Sequence, residues 1–72
     1  MDRYQAVLTF LRHEHADVEP VKTRQVADAL GISAYSARYR LLHLQKQRLV
    51  LRDRERRGSA SRWSLVSDQQ ES

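Results

Sequence analysis

The sequence predicts a mainly α-helical fold that carries a small β-hairpin. Apolar residues recur at the spacing of one helical face in three segments of the chain. Between the second and third segments lie only Gly31, Ile32 and Ser33, a separation typical of two helices joined by a tight turn. Apolar and alternating segments at residues 49–51 and 62–66 then predict two strands. Together these features indicate a winged helix-turn-helix, with three helices and a two- or three-stranded antiparallel sheet.

Length and composition indicate one domain. The 72 residues are 40% hydrophobic and include one proline, two glycines and no cysteine. We place the domain at residues 1–66 and a flexible polar tail at residues 67–72. A chain without cysteine forms neither disulfides nor thiolate metal sites, which favours a cytoplasmic protein that folds by packing alone. No apolar run approaches the roughly 20 residues of a membrane-spanning helix, so we expect no membrane segment. The sequence also has no glycine-rich phosphate loop, and we expect no cofactor.

The first helix is predicted to begin at Asp2, because a carboxylate suits the N-cap position. Its inner face consists of four residues at helical spacing: Tyr4, Val7, Leu8 and Leu11. We expect this helix to end near His15, since Pro20 disfavours helix at the residue before it. Val21 is then expected to begin a short strand.

The second and third helices form the predicted helix-turn-helix. Thr23 is the expected N-cap of a second helix at residues 24–30, and Gly31 is expected to end that helix in the left-handed conformation. Ser33 would then cap a third helix at residues 34–47. The residues predicted to face the core are Val26, Ala27, Leu30, Ile32, Ala37, Leu41 and Leu44.

The opposite side of the third helix is the candidate for nucleic-acid recognition. At about 100° per residue, the side chains directed away from the core are Tyr35, Arg38, Tyr39, Leu42 and Lys46. In a helix-turn-helix this side enters the major groove of DNA, where base edges are distinguishable. The predicted recognition residues are Tyr35, Ser36, Arg38, Tyr39 and Lys46. Arg38 would bond guanine acceptors, and the tyrosines would bond phosphates or pack against a thymine methyl group.

Positive charge is concentrated in the second half of the chain. Residues 33–66 contain nine basic and two acidic residues, whereas residues 1–32 are near neutral. Much of this charge lies in a basic hairpin at residues 52–62, here called the wing, which includes a turn of small residues. The wing residues predicted to bind DNA are Arg54, Arg56, Arg57 and Arg62. A flexible cationic wing would follow phosphates or reach a minor groove.

These features have alternative interpretations. A charge run is commonly a solvated surface that keeps a small protein soluble, and tyrosines are often half-buried packing residues. The same fold also serves as a protein-interaction module, in which Leu42 would be the contact and the arginines would face an acidic partner. An RNA or membrane-surface binder is a third alternative, although neither a strand-borne aromatic pair nor an amphipathic basic helix stands out.

Catalysis finds no support in the residue pattern. His13 and His15 fall on different faces of a helix, and no cysteine or acidic cluster accompanies them or His43. The sequence also contains no glycine-rich phosphate loop and no nucleophile elbow. We therefore do not expect an enzyme.

The third helix, the segment after it and the wing share a residue pattern with one protein family. The residues that carry the pattern are Ala37, Arg38, Tyr39, Leu41, Leu42, Leu44, Leu49, Val50, Arg56, Arg57, Gly58, Ala60 and Trp63. In these positions, across most of the domain, the chain resembles the small fimbrial-operon regulators of the PapI and FaeA type. The resemblance implies a winged helix-turn-helix in a bacterial transcriptional regulator of fimbrial or similar surface-structure genes.

The resemblance also implies partners. Members of that family act on double-stranded DNA together with the leucine-responsive regulatory protein, at sites that contain adenine-methylation targets. The positions that match the family are Arg38, Tyr39, Arg56 and Arg57. Three positions depart from its pattern, namely Ala34, Arg48 and Arg62. We expect a monomer or weak dimer, because a single short domain offers no evident dimerisation element.

Overall fold

The computed structural model describes residues 2–53 and 61–66 of the chain. The elements follow in the order α1 (Arg3–His13), β1 (Val21–Lys22), α2 (Thr23–Leu30), α3 (Ala34–Lys46), β2 (Val50–Asp53) and β3 (Arg62–Leu65). Three helices and a three-stranded antiparallel sheet confirm the predicted fold class. Within the described ranges, none of the helices has the length and apolar character needed to cross a membrane.

Helix α1 begins as predicted and ends two residues early. The Asp2 carboxylate accepts a hydrogen bond from the Tyr4 backbone N–H at 3.0 Å, which satisfies one of the free amides at the helix start. At the other end, His15 has a left-handed φ of 56°. The Ala16 N–H donates back to the Leu11 carbonyl at 2.9 Å, and this arrangement ends the helix and directs Ala16 into the core.

Helix α2 corrects one prediction about its N-terminus. Thr23 is the first helical residue and not the N-cap, which is Lys22. The Lys22 backbone N–H donates to Gln25 Oε1 at 2.9 Å. The Thr23 hydroxyl instead accepts a hydrogen bond from Trp63 Nε1 at 2.7 Å, so this side chain links α2 to the sheet. The preference of threonine for N-cap positions predicted a capping role for Thr23, but its contact with Trp63 determines its role instead.

The turn between α2 and α3 has the predicted form. Gly31 adopts φ 68°, and the Ile32 N–H donates to the Ala27 carbonyl at 3.0 Å. Ser33 Oγ then accepts from the Ser36 N–H at 3.0 Å and caps α3. Helix α3 ends one residue earlier than predicted, followed by Arg48 in the left-handed region at φ 65°.

The sheet has the strand order β1-β3-β2, with all pairs antiparallel. The short strand predicted at Val21 is present and pairs with β3, which makes the sheet three-stranded. Trp63 lies opposite Val21 on one side and Arg52 on the other. The segment that joins β2 to β3, residues 54–60, lies outside the described residues.

The core lies between the helices and the inner face of the sheet. Trp63 is fully buried and is the largest core side chain. The other buried residues are Val7, Leu8, Leu11, Ala16, Val21, Val26, Ala27, Ala37, Leu41, Leu44 and Val50. Leu30 and Ile32, predicted to face inward, are half-buried and pack against this cluster, as does Leu65.

Candidate nucleic-acid interface

Core packing determines which side of α3 is exposed. Ala37, Leu41 and Leu44 are at most 1% exposed, so the opposite side of the helix faces solvent. Tyr35 is 79% exposed and Tyr39 is 60% exposed. Arg38 and Lys46 are also exposed, and these four residues form what we call the α3 face: Tyr35, Arg38, Tyr39 and Lys46. The outward direction predicted for them is confirmed.

The exposure of the two tyrosines bears on one alternative interpretation. A half-buried packing tyrosine keeps its ring against the protein and shows mainly its hydroxyl to water. Tyr35 and Tyr39 instead expose most of their surface. The half-buried packing role considered for these tyrosines therefore does not fit the structure, and both rings are accessible to a partner.

Ser36 and Leu42 differ from the other residues assigned to this side of α3. Ser36 is half-buried, and its backbone N–H donates to the N-cap Ser33. Leu42 was expected to face outward, but it is half-buried and packs against the core cluster. Helical spacing fixes the direction of a Cβ atom but not the depth to which neighbouring side chains cover it. The proposed role of Leu42 as an exposed protein contact is therefore not supported.

The wing is described only at its base. Arg54, Arg56 and Arg57 lie outside the described residues, so their predicted role stays a prediction. Arg62 is exposed at the start of β3, where its cross-strand partners are Asp53 and Lys22. Because side chains alternate along a strand and the next residue is buried, Arg62 lies on the outer face of the sheet.

Arg52 is a basic residue whose role the sequence did not reveal. Its guanidinium carbon lies 5.6 Å from the centroid of the Trp63 ring, and its Nε donates to Ser61 Oγ at 3.0 Å. The first contact is a cation–π interaction with a buried ring. Arg52 thereby stabilises the β2–β3 pairing next to the wing. The sequence could have indicated this contact only if the register had been known, because the register places Arg52 opposite Trp63.

The N-terminal half of α1 lies against α3. The Tyr4 and His43 rings stack with centroids 4.2 Å apart and planes inclined by 22°. Gln47 Nε2 lies 3.2 Å from His43 Nε2, where the amide donates to the imidazole nitrogen. Arg3, the residue before Tyr4, lies beside the N-terminal half of α3.

A cavity of about 210 Å³ lies at this junction. Its lining residues come from the start of α1 and the first two turns of α3: Arg3, Tyr35, Ser36, Tyr39 and Arg40. Neither Arg3 nor Arg40 was among the residues predicted for the site. Of the residues 2–53 and 61–66, no group of three His, Cys, Asp or Glu side chains is arranged to hold a metal ion.

Comparison with known proteins places these features in a family. Residues 3–67 match a protein family described as FaeA-like protein. The major pilus subunit operon regulatory protein of Escherichia coli is 39% identical over 64 residues, which cover 89% of this chain and 78% of that protein. The P fimbrial regulatory protein KS71A of Escherichia coli has the same identity and coverage. The F1845 fimbrial adhesin operon regulatory protein DaaF is 42% identical over 48 residues, or 67% of this chain and 64% of that protein.

Proposed function

Because this chain belongs to the FaeA-like protein family, we propose that it is a bacterial transcriptional regulator of fimbrial or similar surface-structure genes. The family resemblance expected from the sequence is confirmed. The relatives are named as regulatory proteins and not as enzymes, in agreement with the prediction from the residue pattern.

The regulator acts by binding double-stranded DNA through the α3 face. The observation that carries this proposal is the pair of exposed tyrosines beside Arg38, on a helix held by a helix-turn-helix. In that arrangement the N-terminal part of the second helix contacts base edges in the major groove. Arg38 is the proposed base-reading residue, since a guanidinium bonds the O6 and N7 acceptors of guanine in bidentate fashion. Tyr35 and Tyr39 contact phosphates or a thymine methyl group, and Lys46 contributes charge farther along the helix.

Phosphate contacts supply much of the affinity. The proposed wing residues are Arg54, Arg56, Arg57 and Arg62, and each would neutralise a phosphate beside the groove. Every phosphate neutralised contributes roughly −0.9 to the slope of log affinity against log salt concentration. We therefore expect a slope of several units for the whole protein.

A co-regulator is part of the proposal. A single small module buries only roughly 600–1,000 Å² against DNA, which limits the specificity it can reach alone. The resemblance to the family implies a leucine-responsive-type global regulator as that partner. In this scheme the protein acts in the cytoplasm as a monomer or weak dimer. The α3 face binds DNA, and a different surface binds the partner.

Protein docking without DNA reading is the alternative function. Leu42 no longer supports it, but Leu51 is 57% exposed and Leu49 is 40% exposed. Leu51 alternates with the buried Val50 along β2, so it lies on the outer face of the sheet, and Leu49 directly precedes this strand. A module that used only this surface would bind its partner protein and have no affinity for free DNA.

Selection from a random duplex pool, followed by fluorescence-anisotropy titration, separates the two functions. A preferred duplex that binds with a steep salt dependence supports DNA reading. In Arg38→Ala, discrimination at one base pair should fall by roughly tenfold to a hundredfold. The matched control is Arg12→Ala, which removes an exposed arginine from the last turn of α1 and should leave base preference unchanged. Absence of binding to every duplex at low salt would refute the proposal in favour of protein docking.

A further inference from the structure

The cavity between α1 and α3 combines two guanidinium groups with hydroxyl groups. Arg3 comes from the first residue of α1, and Arg40 comes from the second turn of α3. The remaining lining residues, Tyr35, Ser36 and Tyr39, each carry a hydroxyl. Guanidinium and hydroxyl groups are among the side-chain donors that bond phosphate oxygens in protein–DNA interfaces.

Two features of the fold bring the backbones of the two arginines to this cavity. The stacked rings of Tyr4 and His43 fix the start of α1 against α3, and Tyr4 is the residue next to Arg3. On α3, Ser36 and Arg40 are four residues apart and therefore lie on the same side of the helix. Arg40 is half-buried, so its side chain lies against the protein surface.

The positive charge in this cavity is not neutralised by an ion pair in the described part of the chain. The salt bridge found there joins His13 and Glu14 and involves neither Arg3 nor Arg40. Asp2, the acidic residue adjacent in sequence, accepts the N-cap hydrogen bond of α1. Two arginines that line one cavity favour an anion between them, because like charges in a shared site repel when no counter-charge is present.

We infer that this cavity binds one phosphodiester group of the DNA backbone, next to the base pairs that the α3 face reads. The inference rests on the proposed DNA-binding function and adds α1 to the interface. The cavity shares Tyr35 and Tyr39 with the α3 face, so a duplex seated on that face would bring its backbone to the cavity. Arg3 and Arg40 bond the phosphate oxygens, and the contact fixes the register of α3 in the groove without reading sequence.

The first test compares three single substitutions in anisotropy titrations against the selected duplex. Arg3→Gln and Arg40→Gln remove one cavity charge each. The matched control is Arg12→Gln, on the same helix as Arg3 and about 14 Å farther along its axis. For each cavity variant we expect about tenfold weaker binding and a salt slope that is smaller by about 0.9, with unchanged base preference. The control should match the wild type.

The second test locates the phosphate. Single backbone phosphates of the selected duplex are replaced in turn by uncharged methylphosphonate. One position should weaken wild-type binding about tenfold but have little further effect on Arg40→Gln, because the charged contact is already lost. This coupling identifies a DNA phosphate as the ligand, whereas a site for free inorganic phosphate would show no dependence on duplex position. Arg3→Gln, which changes an exposed residue, gives the same comparison should Arg40→Gln fail to fold.

The outcomes distinguish a failure of the cavity inference from a failure of the proposed DNA-binding function. If the wild type binds the duplex and both cavity variants behave as Arg12→Gln does, the inference is wrong and the proposed function stands. If the wild type binds no duplex even at about 50 mM salt, the proposed function is wrong and the cavity assignment with it.

Discussion

The hydrogen bond between Trp63 and Thr23 provides a stringent test of how the sheet is attached to the helices. Trp63 is fully buried, and its Nε1 donates to Thr23 Oγ1 at 2.7 Å across 40 positions of sequence. No buried side-chain nitrogen or oxygen in the described part of the chain lacks a partner. Thr23→Val keeps the shape of the side chain but removes the acceptor, and so leaves the indole N–H without one.

The expected cost follows from the chemistry of that orphaned donor. A buried donor without a partner destabilises a protein by about 1–3 kcal/mol. For a domain of this size, a loss of about 2 kcal/mol corresponds to a fall in Tm of about 8–16 °C. Thr23→Ser keeps the hydroxyl and loses one methyl group, which costs less than about 1 kcal/mol. Because the Ser variant loses a methyl group that the Val variant keeps, the excess cost of Thr23→Val over Thr23→Ser is a lower bound on the effect of the hydrogen bond.

The assay is urea and thermal unfolding followed by circular dichroism, repeated in a Trp63→Phe background. If the hydroxyl of Thr23 serves Trp63, Thr23→Val should cost little once the indole is absent. If Thr23 instead acted as an N-cap, the substitution would cost about 1 kcal/mol in both backgrounds. Equal costs of Thr23→Val in the two backgrounds would refute the role assigned to this contact.

Three further predictions concern the ends of the helices, each measured as the change in urea-unfolding free energy. Gly31→Ala should destabilise by about 1 kcal/mol through the left-handed backbone alone, since nothing lies within 4 Å of the added Cβ; a larger loss would indicate a clash. Arg48→Gly should stabilise by up to about 1 kcal/mol, because Arg48 has φ 65°, and a loss of stability would mean that its side chain makes a contact that matters. Ser33→Ala should cost about 1 kcal/mol by removing the cap on the Ser36 N–H, whereas Ser33→Asp should retain most of the stability.

These helix ends also show what the sequence could and could not predict. Asp2, Gly31 and Ser33 carry a local chemical signal, a capping oxygen or a missing Cβ, and each has the predicted role. His15 and Arg48 adopt the same left-handed conformation as Gly31 without any such signal. At both positions the chain reverses because the next residue hydrogen-bonds back to the helix, to Leu11 or Leu44. A backbone N–H of any residue except proline can form such a bond, so residue type alone does not reveal where the helix ends.

The candidate site also has one part that the sequence predicts and one part that it does not. The exposure of Tyr35 and Tyr39 follows from helical periodicity, because one buried stripe on α3 determines the opposite face. The cavity of Arg3 and Arg40 depends on how α1 crosses α3, which the Tyr4–His43 stack sets, and no local pattern joins residues so far apart in sequence. The roles of Arg54, Arg56 and Arg57 stay predictions, since they depend on residues outside the described part.

The placement of charge around α3 has a consequence for how a protein this small would select its target. In the proposed mode, base contacts from Arg38 alone would discriminate at one or two positions, and only if α3 entered the groove at one depth and angle. A phosphate held by Arg3 and Arg40 on the α1 side, with wing contacts elsewhere on the backbone, would fix that angle at more than one point. Loss of the cavity contact or of the wing contacts should then reduce affinity for all sequences more than it changes which base is preferred. The selectivity still missing would have to come from a partner protein, and the exposed Leu51 of β2, with Leu49 just before that strand, forms one apolar surface that such a partner could cover.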